Sequence, residues 1–285
     1  MKRRAAEKIV LLILFVLVFA PTAVWLWQRW TMSIWHNGHG MFVPLIVAYL
    51  GYQTLKRHAF QQEESSAWGF LFFIPGLVFV IADNAIHTQL LSAVGLIFCI
   101  IGLVILLLGL KRARALAYPL IILFLMLPIP TAFIDRFVLL LRYISASGCA
   151  YIVGVTGLPV LREFTTLHLP NSSLEIADAC SGFSTLYASV TMALILCYAI
   201  SSNLRRALIL FICVPLAIGC NILRCVLLAY LVNYGGSEAL STQLHPFTGI
   251  FSFSLTLVLL FAIAFVKIPR GRNLDTVVEK IPAAD

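Results

Sequence analysis

Three residues carry reactive side chains at unusual places in an apolar sequence: Cys180, Arg224 and His245. Arg224 lies inside the apolar run 206–232, long enough to cross a bilayer. A charge there is costly, so it marks a site or a paired partner. Cys180, in Ala179-Cys180-Ser181-Gly182, opens the apolar run 182–200. His245, in Leu244-His245-Pro246-Phe247-Thr248-Gly249, precedes the run 248–268. The chemistry that fits is acyl transfer by a cysteine, in which Cys and His are distant in sequence but adjacent in space. The thiolate is the reactive form, and a helix N-terminus or a nearby cation lowers a thiol's pKa. Arg224 is always protonated, so its work is to stabilise the thiolate or an oxyanion on the substrate carbonyl. His245 can act as base toward the thiol and then as acid toward a leaving amine. Either Arg224 or His245 can serve the oxyanion, and the sequence leaves that division open.

Other side chains gather around these three. Ser181 and Gly182 offer backbone N–H groups at a helix start, a candidate oxyanion hole. Ser184, Tyr187 and Thr191 follow Cys180 at helical spacing, as a substrate groove or as a polar packing stripe. Asn221 precedes Arg224 by one helical turn and could bond Arg224 or a substrate backbone. Glu175 and Asp178 could orient His245, pair with Arg224, or simply be solvated. His36 and His39 have a spacing that suggests a metal, but no third ligand stands out, so neither a metal nor another cofactor is expected. Each residue alone also has a plain alternative. A lone cysteine is more often structural, His245 could cap a loop, and Arg224 could snorkel to headgroups.

These residues need elements to hold them, and the composition says which kind. The chain is 61% hydrophobic and 11% charged, against about half and a quarter for a soluble domain, which places it in a membrane. An all-α integral membrane protein is expected, a bundle of about eight spans at 9–27, 39–55, 69–86, 91–110, 114–130, 182–200, 206–232 and 248–268. The first run could be a signal peptide but lacks a clean small-residue cleavage site, so it reads as a retained span. Basic clusters recur after every second span, at Lys2/Arg3/Arg4/Lys8, Lys56/Arg57, Lys111/Arg112/Arg114, Arg205/Arg206 and Lys267/Arg270/Arg272. Short Lys- and Arg-rich loops stay cytoplasmic, so both termini are expected inside. That leaves Arg29, Arg136, Arg142, Arg162 and Arg224 elsewhere. The net charge of +8 is therefore a topology signal and not one for nucleic acid.

The segment 131–181 is expected on the outer side. Residues 133–153 carry Asp135, Arg136 and Arg142 among apolar residues, which suits an interfacial helix. A ninth span there would invert every later loop. Residues 160–168 read as one strand, 169–173 as a turn and 174–177 as a returning strand, a small hairpin leading to Cys180. Of the seven cysteines none forms a Cys-x-x-Cys pair, and six sit in helical stretches as small buried hydrophobes. The whole chain, 1–285, reads as one polytopic membrane domain with a short solvated tail after Arg272.

The run Leu174-Glu175-Ile176-Ala177-Asp178-Ala179-Cys180-Ser181-Gly182, after Leu169-Pro170, resembles the active-site region of the exosortase/archaeosortase family. Asn221-Ile222-Leu223-Arg224 is similar to its Asn-x-x-Arg element, and His245 through Gly249 to its His-x-x-x-Gly. Trp35 through Pro44, with His39-Gly40 and Val43-Pro44, also resembles a family element, as do Leu127-Pro128-Ile129-Pro130 and Gly157-Leu158-Pro159-Val160. Asp178 stands where many relatives have Glu, and Phe183-Ser184-Thr185 departs from the usual stretch. The resemblance implies a bacterial inner-membrane cysteine transpeptidase with its active site toward the periplasm. Its implied partners are exported proteins whose C-terminal tail holds a Pro-Glu-Pro motif, a membrane helix and a basic cluster (a PEP-CTERM signal), with a link to exopolysaccharide production. It maps Cys180, Arg224 and His245 onto the catalytic cysteine, arginine and histidine. A transporter or a non-enzymatic scaffold of a polysaccharide export complex is the alternative.

Overall fold

A chain this apolar must satisfy its backbone hydrogen bonds internally, and helices do so within one segment. The computed structural model describes residues 2–32, 37–57, 65–236 and 244–265, so His36 and the tail after Arg272 lie outside it. Its helices are α1 (Lys2–Thr31), α2 (Val43–Arg57), α3 (Phe70–Ile86), α4 (Leu90–Leu108), α5 (Leu110–Ala115), α6 (Ala117–Ile122), α7 (Thr131–Val155), α8 (Phe183–Ala199), α9 (Asn203–Gly235) and α10 (Leu244–Phe265). Among the described residues, six stretches are long and apolar enough to cross a membrane, within α1, at Ala67–Ile86, in α4, α7, α9 and α10. Ala117–Met126 and Phe183–Ala199 are apolar but shorter. The all-α membrane class stands.

The segments around the site differ from the expected course. The expected span 114–130 is broken into α5, α6 and a 3₁₀ turn, Leu123–Met126. The segment expected as an interfacial helix is instead α7, a 25-residue helix whose stretch Ala132–Val155 is long and apolar enough to cross a membrane and which packs alongside α9. Ser145 meets Asn221, and Thr156 meets Tyr230 further along both helices, so α7 and α9 are parallel. α8 is antiparallel to them, since Gly182 abuts Asn221 while the Cys197 thiol reaches the Arg206 carbonyl. Tyr118 bonds the Leu194 carbonyl and Tyr187 bonds those of Leu125 and Leu127, so α6 climbs in the same direction as α7. α6 and α7 thus form one passage in two offset pieces.

The break between them takes carbonyl groups out of the helical ladder, and side chains from three segments satisfy them. The Trp30 indole N–H and the Asn37 amide both donate to the Met126 carbonyl, at 2.9 and 3.1 Å. The Tyr187 hydroxyl serves Leu125 and Leu127 at 3.3 Å each. Gly40 sits so close to the Trp30 ring that a Cβ would lie 2.6 Å from its Nε1. This accounts physically for the glycine of the His39-Gly40 element.

Beyond α7 the chain forms a three-stranded antiparallel sheet, β1 (Leu161–Glu163), β2 (Thr166–His168) and β3 (Ser173–Glu175), in the order β1-β2-β3. The expected first strand, 160–168, folds back on itself at Phe164, whose φ is +52°. The expected turn at 169–173 is present, closed by Leu169 N–H to the Ser172 carbonyl. Leu167, Leu174 and Ile176 point from the sheet segment into a core with Cys149 and Val153 of α7 and Cys225, Leu228 and Val232 of α9. The sheet is thereby fixed to the two parallel helices, and the chain leaving it arrives at Cys180.

Candidate active site

Cys180 ends a 3₁₀ turn, Asp178–Cys180, directly before α8. Its residue is 2% exposed. The Ser181 hydroxyl accepts from the Phe183 N–H, the first of α8, at 3.2 Å. The Ser181 N–H donates to the Asp178 carbonyl at 3.1 Å, which removes it from the expected oxyanion hole. Gly182 has φ +82°, a conformation that side chains disfavour. A Cβ there would also lie 2.5 Å from Cγ of Asn221.

Asn221 bonds the cysteine turn and α7, partners that the sequence did not suggest. It is 1% exposed, and its amide nitrogen donates to the Cys180 carbonyl and to the Ser145 hydroxyl, both at 2.9 Å. One buried amide therefore ties α7, α9 and the cysteine turn together. An unmade bond at such depth would cost on the order of 1–3 kcal/mol.

Arg224, one turn along α9, is only 7% exposed, which rules out snorkelling to the headgroups. Its guanidinium passes beneath α10, where a Cβ on Gly249 would lie 3.4 Å from one terminal nitrogen. Ser252 of α10 donates to the Cys220 carbonyl at 3.0 Å, fixing α10 antiparallel to α9 at this level. His245 is the second residue of α10, four before Gly249, hence on the same helix face one turn away. Its side chain lies outside the described residues.

Glu175 and Asp178 pair with neither Arg224 nor, among the described residues, a histidine. Both bind Arg142 of α7, at 3.1 Å each. The same guanidinium donates to the Ile176 carbonyl at 2.5 Å and the Thr165 hydroxyl at 3.3 Å. Arg142 was legible only as a leftover charge on an apolar helix. The signal that could have singled it out is the pair of carboxylates in the same outer segment.

Burial pushes the Cys180 thiol above its ordinary pKa, while the positive charges of Arg224 and then Arg142 pull it down. The expected lowering by a cation is present, but desolvation outweighs it. Ser184 is exposed on α8. Tyr187 and Thr191 belong to a packing seam: Thr191 meets Nε2 of His39 at 3.2 Å, and the His39 ring lies edge-on to Tyr187. Among the described residues no group of three His, Cys, Asp or Glu could hold a metal.

The comparisons with known proteins bear on this arrangement. A probable archaeosortase E of Methanocaldococcus jannaschii is 37% identical over 102 residues, which is 36% of this chain and 52% of that protein. The chain thus matches about half the length of that curated relative. No solved structure matches. Residues 27–262, from the end of α1 almost to the end of α10, match the family described as transmembrane exosortase, and on that extent the chain belongs to the exosortase/archaeosortase family.

Proposed function

We propose that this protein is a membrane-embedded cysteine transpeptidase that cleaves C-terminal sorting signals from exported proteins. One observation carries the reading. Asn221 holds the Cys180 turn from the same helix that presents Arg224, and Arg224 packs on the α10 turn that follows His245.

In this proposal His245 accepts the Cys180 proton, and the sulfur attacks the carbonyl carbon of the scissile peptide. Arg224 takes up the oxyanion charge, with the Gly182 N–H as the second donor. Collapse of the tetrahedral intermediate breaks the C–N bond, and His245 passes its proton to the departing amine. The thioester is then resolved by water or by an amine on an acceptor. The site lies toward the periplasm of an inner membrane, with both termini cytoplasmic. The substrates are proteins with a Pro-Glu-Pro motif, a membrane helix and a basic tail, in a system tied to exopolysaccharide.

The test is co-expression of a tagged protein bearing such a tail with the wild-type chain or with Cys180→Ala, followed by mass spectrometry of its new C-terminus. Wild type should remove the tail and Cys180→Ala should not. The mass of the new end separates hydrolysis from transfer. Equal processing by both chains overturns the proposal in favour of a scaffold or transporter.

A further inference from the structure

We infer that Arg142 is the positioning residue for the nucleophile: it holds residues 175–178 so that Cys180 meets the α9 face carrying Asn221 and Arg224. The inference rests on the reading of Cys180 as the nucleophile and deepens it.

Two polar side chains from packed spans anchor the cysteine turn, beside a weak contact of the Cys225 thiol with the Cys180 carbonyl. One is Asn221, on the Cys180 carbonyl. The other is Arg142, which reaches Thr165 between β1 and β2, Glu175 at the end of β3, and Ile176 and Asp178 in the turn itself. A guanidinium suits this task because it presents five donors in a fixed plane to several acceptors at once. Ile176 is fully buried, so its carbonyl has no solvent to replace Arg142. The carboxylates of Glu175 and Asp178 are mostly exposed, with side chains 67% and 69% accessible, so these two ion pairs contribute little stability by themselves. Their use is geometric: they fix the plane of the guanidinium against β3 and the turn. α7 is parallel to α9, so Arg142 and Asn221 grip the turn from two packed spans.

Arg142 also acts on the thiol through its charge. Arg224 and Arg142 both favour the thiolate of Cys180, against its burial. Among the described residues, the other charged or titratable groups around this turn and its core are Glu175 and Asp178, the thiols of Cys149 and Cys225, and Tyr230. His245 of α10 belongs to the same region by helix register.

The experiment uses the full chain in native membranes with Arg142→Gln, Arg142→Lys and the double variant Glu175→Gln/Asp178→Asn. Two readouts are taken. The first is the pH profile of Cys180 alkylation by iodoacetamide, located by peptide mass spectrometry. The second is kcat and KM for processing of the tailed substrate. Arg142→Gln should move the alkylation midpoint to higher pH and lower kcat about ten- to a hundredfold with KM little changed. Arg142→Lys should restore the midpoint, because it keeps the charge, and recover kcat only in part. The double variant should move the midpoint to lower pH, because two negative charges leave, and lower kcat. An Arg142→Gln chain with wild-type midpoint and kcat overturns the inference. So does a fall in kcat with an unmoved midpoint and no recovery by Lys, the mark of general destabilisation. If Arg142→Gln fails to accumulate, a wild-type midpoint and kcat in the double variant overturns it instead. Should Cys180→Ala process the substrate as well as wild type, the transpeptidase reading fails. The alkylation profiles then still decide whether Arg142 governs Cys180.

Discussion

Gly182 and Asn221 are matched to each other. The three atoms nearest to a Cβ at position 182 all belong to Asn221, between 2.5 and 2.8 Å away. Gly182→Ala should therefore suffer twice, from its positive φ and from the collision. Asn221→Ala removes Cγ and Nδ2 but keeps a Cβ 2.8 Å from that position, so it relieves the collision only in part, and it takes the amide donor from the Cys180 carbonyl. A double-mutant cycle separates the terms. In detergent-solubilised protein, each single variant should unfold at lower denaturant, by about 1–3 kcal/mol for Asn221→Ala. The double variant should be less damaged than the sum of the singles, and strict additivity would refute the steric coupling. Arg224 gives a second prediction. Arg224→Gln keeps a polar side chain but removes a charge that favours the thiolate. Burial already raises the Cys180 thiol, so losing this charge should move its alkylation midpoint to higher pH and lower reactivity near neutral pH. Arg224→Lys should keep the midpoint yet lose turnover, because its single ammonium lacks the guanidinium fork. Full turnover with Lys would argue against a forked contact to the oxyanion.

The break between α6 and α7 is held by side chains that the sequence separates widely. Trp30 and Asn37 both serve the Met126 carbonyl, so either alone leaves it satisfied. Trp30→Phe should therefore cost little, and Asn37→Ala likewise. Together they strip the carbonyl of both donors, and the pair should exceed the sum of the singles by roughly 1–3 kcal/mol in the same unfolding measurement. Small additive losses would mean that the break is held in some other way. This element shows where sequence reasoning reaches its limit. Pro119, Pro128 and Pro130 announce a disturbed helix, but not which side chains complete its carbonyl groups. The turn at 169–173 was legible from its Pro, Asn and Ser residues. The turn at Phe164 was not, because a bulky residue at positive φ carries no turn signature. Cys180, Arg224 and Asn221 were visible as an interrupted apolar pattern. The Cys180–Asn221 bond and the hub at Arg142 were not, because both depend on which spans lie parallel.

At the scale of the whole molecule, the parallel course of α7 and α9 decides how the charges are arranged. Tyr198 of α8 bonds Thr54 near the basic end of α2, and Arg206 of α9 bonds the Ile200 carbonyl. The Lys56/Arg57 and Arg205/Arg206 clusters therefore share one end of the bundle, while the sheet and the cysteine turn lie toward the other. α9 has 33 residues, about 50 Å of helix, against a hydrocarbon core of about 30 Å. Even at the tilts usual for spans, part of it extends past the hydrocarbon core. Its attachments to Asn171, Ser172 and the sheet core show the end at Val232 and Asn233 to be well supported by protein. The Lys- and Arg-rich end should face the cytoplasm, which sends the sheet to the opposite side. Single cysteines test this. Glu163→Cys, at an exposed carboxylate of β1, should react with a membrane-impermeant maleimide in intact spheroplasts. Asn203→Cys, exposed at the start of α9, should react only after lysis. The reverse pattern would turn the whole bundle over and move the cysteine site to the cytoplasmic side, where a sorting function for exported proteins has no substrate. Reaction of both positions from one side would contradict the opposed ends, and with them the parallel packing of α7 and α9 that brings Arg142 to the cysteine turn.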